Sequence, residues 1–263
     1  MAALEIPNVN VMVKTNFQED CNKNMGAIFK RELYAYFISP VGYIFMTVFL
    51  LVSGVLFYFT VLSAPAQADI TSYFLFIIFA FIVLIPLLTM RLLSDERRSK
   101  TEQMLLTSPV SLTGMVFAKF CAAFVLFAGT LLVSCLNFYV LYEFAAREGQ
   151  TNTAVLAGNV ISILLIGAAF IAIGLFISAM TENQLVAAIM TIAVIFMLLM
   201  SGWLSSAIPF FAVRYVLDFL SIFSRFTAFT YGIFDISSII YYASIVVIFL
   251  FLTIRIYEMR RWQ

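Results

Sequence analysis

The sequence predicts an all-α, polytopic membrane protein with six transmembrane helices. Composition is the first reason: 63% of the residues are hydrophobic and only 11% charged, with a mean hydropathy of +1.05. A soluble domain cannot cover such a surface. The second reason is length, because a spanning helix needs about 20 apolar residues to cross about 30 Å of hydrocarbon. Six stretches satisfy it, at about 41–62, 70–90, 114–144, 154–180, 183–205 and 237–257. The third is a single polar island at 91–113, RLLSDERRSKTEQMLLTSPVSLT, between the second and third stretches.

Residues 1–24 read as a loose tail, polar and acidic at Glu5, Glu19 and Asp20. Lacking an isolated apolar core, they do not resemble a cleavable signal. Residues 25–262 then form one membrane domain. Its first element, KNMGAIFKRELYAYFIS from Lys23 to Ser39, carries Met25, Ile28, Phe29, Leu33, Tyr36 and Phe37 at helical spacing, with Lys30 and Arg31 near the polar edge. That is an N-terminal interfacial amphipathic helix. Pro40 disfavours its continuation, so the chain can turn there and enter the bilayer. The same geometry serves a plain anchor and an element that transmits force.

In the polar island, Ser99 and Glu102 have capping-box spacing, which starts a short helix at Lys100. Pro109 ends it near Thr107, leaving Met104, Leu105 and Leu106 on a surface with no lipid to face. Upstream, Asp95 to Arg98 extend the second span as a mixed-charge helix with Arg91 and Asp95 at i,i+4. The alternative is a solvated loop whose ion pairs contribute little. After the fifth span, residues 206–236 are too apolar for a free loop yet contain Arg214, Asp218, Arg225 and Asp235. They should re-enter the membrane and pack on their own bundle, since irregular backbone at that depth must be satisfied by protein or water.

Basic residues cluster before the first span, after the second and after the sixth, which places those ends and both termini in the cytoplasm. With no histidine and no GxxxxGK[ST] loop, the chain should not hydrolyse ATP alone. A net charge of +1 gives no reason to expect a nucleic-acid partner. Cys21, Cys121 and Cys135 lack metal or redox spacing and read as packing residues. An ionisable residue deep in a span costs roughly 2.5–3.5 kcal/mol and marks a pathway. The spans are nearly bare of them, and Lys119, Glu143 and Arg255 read as interfacial anchors that snorkel. Small residues at Ala118/Ala122, Ala168/Ala172 and Gly174/Ser178 allow close helix packing within the chain. The 29 phenylalanines read as core or lipid-facing.

The order SDERRSKTEQMLLTSPVSL resembles the loop between the second and third spans of type-2 ABC transporter permeases. FKRELYAYFISPVGYIF and FTAFTYGIFDISSIIYYASIVVIFLFLTIRIYEMRRW extend the likeness towards permeases of gliding motility and of nitrous oxide reductase maturation. Lys100 departs from it, since a small residue is expected there.

The resemblance implies a permease subunit of an ATP-binding cassette transporter, in a bacterial inner membrane, paired with a second permease as homodimer or heterodimer. Separate cytoplasmic ABC ATPase subunits would bind ATP and Mg, and no cofactor belongs to this chain. It further implies that the island holds a cytoplasmic coupling helix docking in the ATPase, with Ser99, Thr101, Glu102, Met104, Leu105, Leu106, Ser108 and Pro109 as its docking residues. Phe29, Arg31, Glu32 and Tyr36 would belong to the elbow helix. The turn Thr181–Asn183 would be a lesser ATPase contact, and Arg214, Asp218, Arg225 and Asp235 would lie in an external gate. No residue is expected to be catalytic. Export is the favoured activity. Two alternatives stay open: a mechanical or assembly component acting on an extracytoplasmic or gliding-motility partner, and a passive scaffold without an ATPase.

Overall fold

The computed structural model describes residues 26–62, 70–98, 112–138, 153–207, 210–230 and 235–261. The described residues are 94% helical without a strand, and six helices are long and apolar enough to cross a membrane. This is the polytopic all-α architecture the composition requires.

The first helix, α1 (26–38), is the amphipathic element. It breaks at Ser39, and Pro40 opens α2 (Pro40–Phe57) from the first helical turn, where its missing N–H is no loss. The corner is tight. A Cβ on Gly42 would lie 2.2 Å from the Tyr36 carbonyl oxygen, so only glycine lets the two helices approach this closely. A π-helical turn, Tyr58–Leu62, finishes the first span.

The second span begins as α3 (Ile70–Thr89), turns at residues 90–93 and continues as the short α4 (Ser94–Arg98). Pro86 inside α3 removes a backbone donor just before that turn. The remaining spans are α5 (Leu112–Ser134), α6 (Thr153–Met180), α7 (Gln184–Ala207) and α10 (Ile236–Arg261). Between α7 and α10 the expected re-entrant segment contains two short helices, α8 (Phe211–Leu220) and α9 (Ile222–Thr230).

The helix α6 is the hub of the bundle, packing against α3, α5, α7, α9 and α10. It is also the most enclosed span, 67% buried over its apolar window, whereas α2, α7 and α10 reach only 22–28%. Small residues permit the close contacts: Gly174 of α6 faces Thr89 of α3, and Gly167 faces the Phe127 ring of α5. The first three spans are stitched by aromatic rings, with Phe49, Phe81 and Phe127 at centroid separations of 5.3–6.2 Å. Buried hydroxyls add a polar pin, since Ser53, Tyr73 and Ser134 bond one another across the same three spans, with Tyr73 at 2.8 Å from Ser53.

Candidate functional site

At the end of the bundle where α1, α4 and the last turns of α6 and α10 converge, basic residues are frequent and a polar network replaces the apolar core. Its centre is Lys119, two turns into α5 and only 1% exposed. Its ammonium lies 3.1 Å from Glu32 Oε1 of α1 and donates to Glu96 Oε1 of α4 at 2.8 Å and to the Leu92 carbonyl at 3.3 Å. Three donors meet three acceptors from two other elements. Arg31 adds a second cation, 2.8 Å from Glu32 and 3.8 Å from Glu96. A lone charge could not persist here, because desolvation would neutralise it, so the cluster is stable only as a set.

Burial pushes the Glu32 carboxyl up, but Lys119 and the Arg31 hydrogen bond outweigh it and hold the group below the usual carboxylate range. Tyr36, buried one turn further along α1, donates to the Leu88 carbonyl at 3.4 Å, and burial drives its phenol pKa far up. The inward face of α1 therefore combines Glu32 and Tyr36 with half-buried Phe29 and Leu33, while Tyr34 and Ile38 point outward at 66% and 65% exposure. A cleft of about 220 Å³ opens between α1 and α4, bordered by Glu32, Tyr36, Arg91, Asp95, Glu96 and Lys119.

The α3–α4 turn is fastened to α6 as well. Ser178 Oγ accepts from the Leu93 and Ser94 amides at 3.2 and 3.1 Å, and Ser94 Oγ donates back to the Met90 carbonyl. Two arginines then cap the end of α6: Arg97 of α4 donates to the Met180 carbonyl at 2.8 Å and Arg260 of α10 to the Ala179 carbonyl at 2.7 Å. Cations at a helix C-terminus satisfy free carbonyls and oppose the dipole. Arg97 also bonds Glu182 at 2.8 Å, and Asp95 is shared between Arg91 at 3.0 Å and the Gln184 amide of α7. Thus Ser94, Asp95, Glu96 and Arg97 link α4 to α1, α5, α6 and α7. The chain leaves α4 directly into 99–111.

The expected docking residues Ser99, Thr101, Glu102, Met104, Leu105, Leu106, Ser108 and Pro109 lie outside the described residues, as do Glu143 and the tail. The four elbow residues lie on α1, and Glu32 proves central among them. One expectation is corrected: Lys119 does not snorkel as an interfacial anchor, because Glu32, Glu96 and the Leu92 carbonyl hold it inside the protein. Sequence reading missed Lys119, Glu96, Ser178, Gln184 and Arg260 as network members. The signal was available for Lys119, since an ionisable residue in an apolar run implies a partner.

At the opposite end the four gate candidates form two groups. Arg214 and Asp218 face each other on α8 at 3.8 Å, and Asp218 accepts from Ser205 of α7. Arg225 of α9 stacks 4.3 Å over the Tyr241 ring of α10, while Asp235 caps α10 through the Ser237 and Ser238 amides at 3.1 and 3.2 Å. The Ser238 hydroxyl leads the hydrogen bonds that hold Asp235 below its ordinary pKa, and the Arg225 charge adds to them. Tyr241 and Tyr242 donate to the Leu220 and Ile222 carbonyls at 3.0 and 2.9 Å, which fixes the α8–α9 corner on α10.

Fold and network together define a multi-pass membrane protein with no soluble domain among the described residues, braced at one end around the exit of its second span. The chain matches the family described as ABC-2 family transporter protein over residues 10–258, and it belongs to that family. It is therefore a membrane permease subunit of an ABC transporter, and membership implies ATPase partners. Among curated proteins none matches it as a relative.

Proposed function

We propose that this permease couples ATP hydrolysis by separate ATPase subunits to export of a substrate across a bacterial inner membrane, with both termini cytoplasmic and a second permease completing the complex. The observation that carries the reading is the bracing of α4 through Lys119, Glu32 and Glu96. Residues 99–111 follow α4 immediately, so a force applied to a coupling helix there would pass into α1, α5, α6 and α7 together instead of bending one loop. Nucleotide in the ATPase pair supplies the bias between conformations, because it binds the closed and open pairs unequally. Met104, Leu105 and Leu106 provide the apolar docking surface, and Thr181–Asn183 a second contact beside Arg97. The α8–α9 segment forms the external gate, its movement limited by the Asp218 and Arg225 contacts.

The test is a mild-detergent pull-down of the tagged chain, with and without Leu105→Asp, scored by mass spectrometry and ATPase activity. Wild type should bring down a cytoplasmic ATPase that the variant loses. Absence of an ATPase with the wild type would sink the coupling reading. An ATPase that co-purifies with a large extracytoplasmic protein, with no solute moved in vesicles, would replace export by mechanical work.

A further inference from the structure

A second cavity, of about 380 Å³, runs down the outside of the bundle between α2 and α5. The helix α1 roofs it with Leu33 and Phe37; Met46 and Leu50 form one wall, Val125 and Val133 the other. The only hydroxyl among its described lining residues, Thr130, donates to the Leu126 carbonyl of its own helix at 2.8 Å. The groove is open sideways, since Leu50, Val125 and Val133 are 37%, 44% and 50% exposed. Both walls are membrane-spanning helices, so the groove opens at the depth of lipid acyl chains. At Gly129 an added Cβ would meet no atom of the described residues within 4 Å, so the groove is open beside α5.

The roof also supplies a charge at one end. Lys30 lies three residues before Leu33 and seven before Phe37, which places it on the same face of α1, one turn beyond the groove. It is exposed, and it stands apart from the Lys119 network that occupies Arg31.

We infer that this groove holds one phospholipid, an acyl chain lying between α2 and α5 beneath α1 and the phosphate meeting Lys30. The occupant differs from lipid elsewhere on the bundle in two respects: it is enclosed by protein on three sides, and a basic residue stands at the end where an interfacial helix meets the headgroup layer. Filling the cleft between α1, α2 and α5, it completes the packing that supports α1. The inference is independent of the transport reading and stands or falls without an ATPase.

The experiment is native mass spectrometry of the full chain, purified and then offered equal amounts of phosphatidylglycerol and diacylglycerol with identical chains. Wild type should retain one phosphatidylglycerol through detergent removal. Gly129→Phe, which fills the groove from its open side, should lose that adduct; should the variant not fold, Val133→Trp fills the same space from an exposed position. Lys30→Gln should lower phosphatidylglycerol retention about fivefold, the effect of one basic residue near an anionic headgroup, and leave diacylglycerol unchanged. Equal lipid retention by a folded groove-filling variant would overturn the proposal, as would a phosphatidylglycerol preference that survives Lys30→Gln.

Discussion

Lys119 and Glu96 meet at 2.8 Å although one belongs to the third span and the other to the last turn of the second. Because Glu32 shares the same ammonium, one side chain joins three elements of the bundle. The pairing is not a surplus of stability, since charges taken out of water repay their desolvation only with full partnership. Its value is positional: α1 and α4 cannot separate without exposing unpaired charge.

That argument sets an order of stabilities. Lys119→Met should destabilise the protein by up to about 3–5 kcal/mol, because two enclosed carboxylates lose their buried cation and keep only the more exposed Arg31. Adding Glu32→Gln and Glu96→Gln to it should recover most of the loss. Thermal midpoints in detergent give the ranking, and ATPase-coupled transport should stay low in the triple variant, where the fold returns but the tie does not. A triple variant no more stable than Lys119→Met would contradict the account.

The glycine contacts predict two substitutions with different cures. A Cβ at Gly174 would stand 2.3 Å from Thr89 Oγ1, and the Thr89 hydroxyl donates to the Ile85 carbonyl of its own helix. Gly174→Ala should therefore cost about 1–3 kcal/mol, and Thr89→Ala should return part of it. At Gly42 the obstacle is the Tyr36 backbone carbonyl. Gly42→Ala should lower the midpoint comparably, with no rescue from any side-chain change at Tyr36.

Much of this fold was legible in the sequence because lipid imposes one requirement on every span, and hydropathy reads it directly. Pro40 marked the corner between α1 and α2, and the i,i+4 spacing of Arg91 and Asp95 marked the helix beyond the second span. The network was not legible. Glu32, Glu96 and Lys119 lie in three separate segments, and no local period encodes their meeting. The amphipathic pattern of α1 marked Phe29, Leu33 and Tyr36, which do face inward, but gave no sign that Glu32 joins them there. Ser53, Tyr73 and Ser134 carry the same lesson, being scattered hydroxyls whose partners appear only when three spans are assembled.

Acid should release α1 late. The Glu32 carboxyl is held below its ordinary value, so its contribution is fully present above the unfolded carboxylate pKa and is lost as pH falls through the lower folded one. A spin label attached at neutral pH to a cysteine placed at the exposed Ala35 should keep one mobility from neutral pH down past the usual carboxylate range, and become freer only below it. In Glu32→Gln the label should be more mobile at neutral pH and lose that acid step. In a Glu96→Gln background, where the other carboxylate on Lys119 no longer titrates, a step at or above the ordinary carboxylate value would mean that Lys119 and Arg31 do not stabilise the charged form.

The far end should behave as a separate unit. Asp235 caps α10 through two amides and the Ser238 hydroxyl, and its lowered pKa means the charged cap persists above the ordinary value and is lost as pH falls through the depressed one. Asp235→Ala should lower the midpoint at neutral pH, whereas Asp235→Asn keeps an oxygen acceptor and should lose little. On acidification the wild type should lose the advantage of its charge and converge towards the asparagine variant, because a protonated carboxyl keeps an oxygen acceptor as the amide does. Because the Lys119 network lies at the other end of the spans, none of these changes should alter ATPase co-purification. Loss of the ATPase from Asp235→Ala with the fold retained would show that the two ends are coupled through α10, whose last turn reaches α6 through Arg260.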